Sequence, residues 1–152
     1  GPKRLLPTLN LSVTRTIWYE IGDMDESLPR GEDSDWTLRM RRAGYTLHFV
    51  PSAFVHHLPH RETWTDVYHH WYHSGENNVR VRIKFKDEFN TPRWVHSPVS
   101  LMLLSPFIAT GISLKIFSFS PFLKYWHCLP AIFLTKIAYC RGAAKTVKSL
   151  KS

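Results

Sequence analysis

Hydrophobic and polar positions change their pattern near residues 90 to 97. Before that point apolar residues are interleaved with charges at helical or strand spacing; after it long uncharged runs take over. In the first part, Leu9 to Val13 predicts a short strand. Arg15 to Ile21 predicts a helical turn or two ending at Gly22, followed by a polar loop from Asp23 to Arg30. From Ser34 to Ala43, Trp36, Met40 and Ala43 recur at helical spacing. Gly44 stands where a left-handed C-cap belongs, with Glu32, Asp33 and Asp35 at the entrance and Arg39, Arg41 and Arg42 near the exit, the polarity a helix dipole favours. Tyr45 to Val50 and Ala53 to Leu58, separated by Pro51, predict two short strands or a strand and an extended segment. Thr63 to Ser74 carries Trp64, Val67, Tyr68, Trp71 and Tyr72 on one helical face and His69, His70 and His73 on the other. In Asn78 to Lys86 the apolar residues Val79, Val81, Ile83 and Phe85 alternate with basic ones. Period alone argues a strand there, whereas the place just before the apolar part allows a basic membrane-surface helix.

Thr91-Pro92-Arg93 marks the break, so the expected division is a domain over residues 1–90 and a membrane-associated helical region with a basic tail over 91–152. Ser97 to Leu114 holds no charge, Ile116 to Leu123 continues the run after Lys115, and Tyr125 to Thr135 is a further uncharged stretch. Each approaches the roughly 20 residues a spanning helix needs. Pro98, Pro106, Pro121 and Pro130 interrupt them, which leaves two transmembrane helices, a re-entrant or interfacial hairpin, or an ordinary buried helical pair. Charge bears on the choice. The net charge is +8, yet all 12 acidic residues precede position 89, where an equal number of Lys and Arg offsets them. The excess lies in the apolar region at Arg93, Lys115, Lys124, Lys136, Arg141, Lys145, Lys148 and Lys151, a placement that suits an anionic membrane surface and argues against nucleic acid. Cys128 and Cys140 sit in the same apolar stretch as small hydrophobes, with no disulfide framework and no CxxC metal site, so a reducing, cytoplasmic setting is expected.

Two groups of residues are candidates for chemistry. Glu32, Asp33 and Asp35 read in isolation as helix capping. Gly31 before them permits close approach of a ligand, Trp36 offers a stacking surface for a sugar ring, and a carboxylate there can accept a proton from a hydroxyl. Of the histidines, His56 and His57 alternate faces on a strand, so at most one of them enters a given site. His69 and His73 have the separation of a metal-binding helix face, but HExxH lacks its glutamate and the face reads as solvated or against lipid headgroups.

Taken in order, Asn10-Leu11-Ser12-Val13, Arg15, Ile21 to Glu26, Gly31-Glu32-Asp33-Ser34-Asp35-Trp36, Arg39, Arg42-Ala43-Gly44-Tyr45, Val50 to Ala53 and His57 form a series. It resembles, over about residues 9–61, the second half of the catalytic domain of family 2 glycosyltransferases. The resemblance implies an α/β fold, the C-terminal part of a GT-A (Rossmann-like) domain, followed here by the apolar helical hairpin. It implies inverting transfer of a sugar from a nucleotide-sugar donor to a hydroxyl on a glycan or lipid-linked glycan, with Asp33 as catalytic base and Glu32 its helper, beside the Trp36 surface expected to bind the acceptor, and it implies that Asn78 to Lys86 continues as helix. It also implies His57 as a ligand to a divalent metal, Mn or Mg. Asp35 and Arg39, one turn apart, read as an ion pair supporting the helix. Asp23 and Met24 stand where the family usually has glycine and phenylalanine. No QxxRW follows, so non-processive addition is expected. The family's nucleotide-binding half with its DxD motif is not among these residues, so the 152 residues alone are expected to be inactive. Two other readings compete: a non-enzymatic membrane-surface module, and a zinc protein using His57, His60, His69 and His73.

Overall fold

The computed structural model describes residues 1–58 and 61–151. The chain forms two compact units, Gly1–His60 and Arg61–Ser152, and the hydropathy break near Asn90 falls inside the second.

In the first unit two short helices carry the structure. Helix α1 spans Arg15–Ile21, started by the Thr14 hydroxyl, which accepts the Ile17 N–H at 3.4 Å. Helix α2 spans Glu32–Arg42, and Gly44 follows it with φ +93°, the left-handed turn that ends a helix and that glycine adopts without a Cβ clash. Trp36, Met40 and Leu47 form the buried centre, surrounded by Leu6, Leu11, Val13, Ile17, Ile21, Met24 and Tyr45. Among the described residues the only sheet is two residues deep. Strand β1 (Pro2–Lys3) runs antiparallel to β2 (Leu47–His48), with Pro2 opposite His48 and Lys3 opposite Leu47.

This corrects the fold expected from the resemblance. The structure is 64% helical with a single two-stranded sheet, so it is a largely helical chain and not an α/β, Rossmann-like one. Leu9 to Val13 is a 3-10 turn (Thr8–Asn10) followed by extended chain, and Ala53 to Leu58 has no regular structure. The reason is pairing. A strand exists only where a neighbour takes up its backbone N–H and C=O groups, and Gly1 to Lys3 offer one to Leu47, His48 and Phe49 alone. Phe49, Val50, Phe54, Val55 and Leu58 have strand-forming side chains and stay exposed.

The second unit is three helices. Helix α3 (Trp64–Lys84) begins with a capping box, in which Thr63 Oγ1 accepts the Asp66 N–H at 3.2 Å and the Asp66 carboxylate accepts the Thr63 N–H at 3.0 Å. It continues through Asn78 to Lys84 as a helix. Helix α4 (Pro98–Phe117) opens on the Ser97 hydroxyl and leads through a 3-10 stretch, Ser120–Cys128, into α5 (Leu129–Ser149). Both α3 and α4 pack along α5 around Val79, Leu101, Ala143, Ala144 and Val147. The α3–α5 crossing is backbone on backbone. A Cβ at Gly75 would lie 2.0 Å from the Tyr139 carbonyl oxygen, and one at Gly142 2.0 Å from that of Tyr72. Such close approach through small residues is a common way of packing helices in an apolar solvent.

Helix α4 is long and apolar enough to cross a membrane: 20 residues with a mean hydropathy of 1.7 and 22% of its most apolar stretch buried. Pro106 sits within it and lacks the N–H that would have reached the Met102 carbonyl; the Ser105 hydroxyl donates to that oxygen at 2.8 Å instead.

Candidate active site

The acidic cluster begins at Gly31, whose φ of +88° turns the incoming loop into α2. With glycine there, no side chain caps the helix. The first-turn carboxylates of Glu32, Asp33 and Asp35 therefore supply the negative charge that the exposed N–H groups favour. The three carboxylates have different surroundings. Asp33 is half-buried, and its Oδ1 accepts the Ser34 N–H at 2.6 Å. Glu32 is half-buried as well, and its Oε2 is enclosed without a hydrogen-bond partner among the described residues. Asp35 is fully buried and its Oδ2 accepts from Arg39 Nε at 2.9 Å.

Arg39 does more than pair with Asp35. Its other nitrogens donate to the Ile21 carbonyl at 2.5 Å and the Asp23 carbonyl at 2.6 Å, so one guanidinium binds α2 to the end of α1 and the loop beyond it. Trp36 adds a second tie, its indole N–H donating to the Gly22 carbonyl at 2.8 Å and its ring meeting Trp18 edge-on at 4.8 Å. At 2% exposure Trp36 is a core residue. The stacking surface expected of it is not open, because the same amphipathic ring that suits a sugar also suits a core with one carbonyl to satisfy. Tyr45 donates to the Glu20 carboxylate, which raises the phenol's pKa, chiefly through that hydrogen bond.

His57 lies exposed in the irregular segment after Pro51, not at a strand end. Among the described residues no three His, Cys, Asp or Glu side chains come together to hold a metal ion. His57 would supply one imidazole ligand to a Mn or Mg ion, the remaining ligands coming from elsewhere. The rings of His69 and His73 stack at 6.2 Å, and His73 Nδ1 is engaged with Glu76 at 2.6 Å. His60 lies outside the described residues. Sequence reasoning missed the Glu76–Lys145 contact of 2.8 Å between α3 and α5, and the two-glycine crossing beside it. The signal for the crossing was present in the small residues Ala138, Gly142 and Thr146 at four-residue spacing opposite a mid-helix Gly75.

Helices, loop and ion pair together hold two half-buried carboxylates at the mouth of α2, a geometry able to take a proton from a hydroxyl. Comparison of the chain with protein-family models, curated proteins and solved structures finds no match.

Proposed function

We propose that the chain is the acceptor-side part of a membrane-associated, inverting glycosyltransferase resembling family 2, transferring a sugar from a nucleotide-sugar donor to a hydroxyl of a glycan or lipid-linked glycan. The observation that carries the proposal is the difference among the three carboxylates. Asp35 is fully buried against Arg39, whereas Asp33 and Glu32 are half-buried at the mouth of α2, with one Asp33 oxygen taken by the Ser34 N–H. A cap needs charge near the N–H groups and nothing further; half-buried carboxylates can in addition reach an acceptor hydroxyl.

In the proposed reaction Asp33 Oδ2 accepts the proton of the acceptor hydroxyl as its oxygen attacks the anomeric carbon. The bond from that carbon to the diphosphate oxygen breaks, the nucleoside diphosphate leaves with the electron pair, and the configuration inverts. Glu32 Oε2 accepts a hydrogen bond from a neighbouring acceptor hydroxyl and orients it. Donor binding falls to a nucleotide-binding half that residues 1–152 do not supply. Attachment at the cytoplasmic face of a membrane is supported by the single apolar helix α4 and by the basic excess around it.

The test is sugar transfer by the protein together with its nucleotide-binding half, in membranes supplied with nucleotide-sugar. Asp33→Asn keeps size and hydrogen bonding and removes the base, so kcat should fall by about 10²–10⁴-fold. Unchanged transfer by Asp33→Asn would leave the cluster as a helix cap and favour a non-enzymatic membrane-surface module.

A further inference from the structure

Within the second unit the three helices leave between them a cavity of about 220 Å³ that runs along α4 from Leu101 to Ile112. It is bounded by Val79 and Arg82 of α3, the connection at Trp94 and Val95, Ile112 of α4, and Lys136 of α5. That volume is several times what one water needs, and a wall this apolar gives water few partners. Two features restrict the occupant. The wall contains two cationic side chains, Arg82 and Lys136, and no aspartate or glutamate. The Lys136 ammonium rests 3.6 Å over the Trp71 ring and Arg82 lies over Phe89 at 5.0 Å, so both cations are held by aromatic residues that leave their charge uncancelled. The second feature is location. One wall belongs to α4, whose other residues Leu103, Phe107 and Leu114 are 64–74% exposed on the candidate membrane span.

We propose that this cavity binds one anionic phospholipid of the bilayer, with an acyl chain between α3, α4 and α5 and the phosphate against Arg82 and Lys136. An acyl chain matches the apolar wall, and a phosphate matches two cations without a carboxylate between them. A zwitterionic lipid brings an ammonium that the same cations repel. This rests on the membrane association in the proposed function and is independent of the sugar-transfer chemistry.

Two measurements on the intact protein separate the claims. Flotation with vesicles of phosphatidylglycerol and phosphatidylcholine reads membrane association. Native mass spectrometry after release from detergent reads retained lipid. The expected result is one retained phosphatidylglycerol, at least tenfold preferred over phosphatidylcholine. The preference should be abolished in the double variant Arg82→Gln with Lys136→Gln, and retention abolished in Ile112→Trp, which fills the cavity from the partly exposed helix α4. Both variants should still float. Protein that floats but retains the two lipids equally, or retains phosphatidylglycerol equally well in both variants, overturns the cavity assignment alone. Failure of the wild type to float overturns the membrane reading and this proposal together.

Discussion

Arg39 donates to three groups at once, the Asp35 carboxylate and the carbonyls of Ile21 and Asp23. Losing it takes a charged partner from a fully buried aspartate and frees the loop that leads into the acidic cluster. Arg39→Ala is therefore expected to cost about 3 kcal/mol, read as a lowered denaturant midpoint. Arg39→Lys should recover less than half of that, because a point charge cannot reach three acceptors set in a fork. Asp33→Asn, at a half-buried position in the first turn, should stay within about 1 kcal/mol of wild type while abolishing transfer. Equal stability losses in Arg39→Ala and Asp33→Asn would mean that the cluster acts as one structural unit. Of these details the Asp35–Arg39 pair was legible in the sequence, because i, i+4 spacing brings the two together on any helix. The carbonyl partners were not, since nothing in the composition says that the loop after α1 returns to α2. Trp36 was misread for a similar reason: its chemistry is the same in a core and at a sugar site, and burial alone distinguishes them.

At the scale of elements, helices were legible and strands were not. A helix satisfies its own backbone, so the Gly22 and Gly44 stops and the aromatic face of α3 could be read locally, whereas Tyr45 to Val50 needed a partner that the chain supplies only for Leu47, His48 and Phe49. The alternation of Val79, Val81, Ile83 and Phe85 looked like a strand because α3 is buried on two opposite faces there. Val79 and Ile83 lie one turn apart toward Ala143 and Val147, and Val81 and Phe85 lie one turn apart on the other side. The α3–α5 contact yields two predictions. Gly142→Ala would drive a Cβ into the Tyr72 carbonyl and force the helices apart, at a cost of about 3 kcal/mol, visible as a lower Tm. Four residues from that carbonyl, Glu76 joins Lys145 of α5 and His73. Burial pushes the Glu76 pKa up, and hydrogen bonds and attraction from Lys145 and His73 outweigh it, leaving it below the usual carboxylate range. A carboxylate depressed in the folded state stabilises fully above its unfolded pKa of about 4.3, and that stabilisation disappears as pH falls through the lower folded value. Tm should thus decline from about pH 5 downward, and Glu76→Gln should flatten that decline while lowering Tm at pH 7. A decline of the same slope in Glu76→Gln would place the acid sensitivity elsewhere.

At the scale of the whole molecule, the question is which solvent the second unit meets. In water, α4 would expose Leu103, Phe107 and Leu114 on one face, and Phe119, Phe122 and Trp126 would be exposed after it, more apolar surface than soluble monomers usually present. In a bilayer the same residues need no cover. Trp94 before α4, and Tyr125 and Trp126 after it, stand where interfacial aromatic residues anchor a span, with Arg93 and Lys124 beside them. The bonding around Pro106 fits that solvent too, because the carbonyl left without a backbone donor is taken by Ser105 and needs no water. Phe107, near the middle of α4 and 74% exposed, separates the two solvents. On an aqueous surface Phe107→Arg would raise solubility and change stability little. At the centre of a span it replaces a favourable residue by one that costs roughly 2.5–3.5 kcal/mol, enough to reduce partition into vesicles by about 100-fold. Vesicle flotation of Phe107→Arg, with Arg93→Ala as a control whose charge already lies outside the helix, therefore reads the environment of α4 directly; flotation of Phe107→Arg equal to wild type would place this face in water.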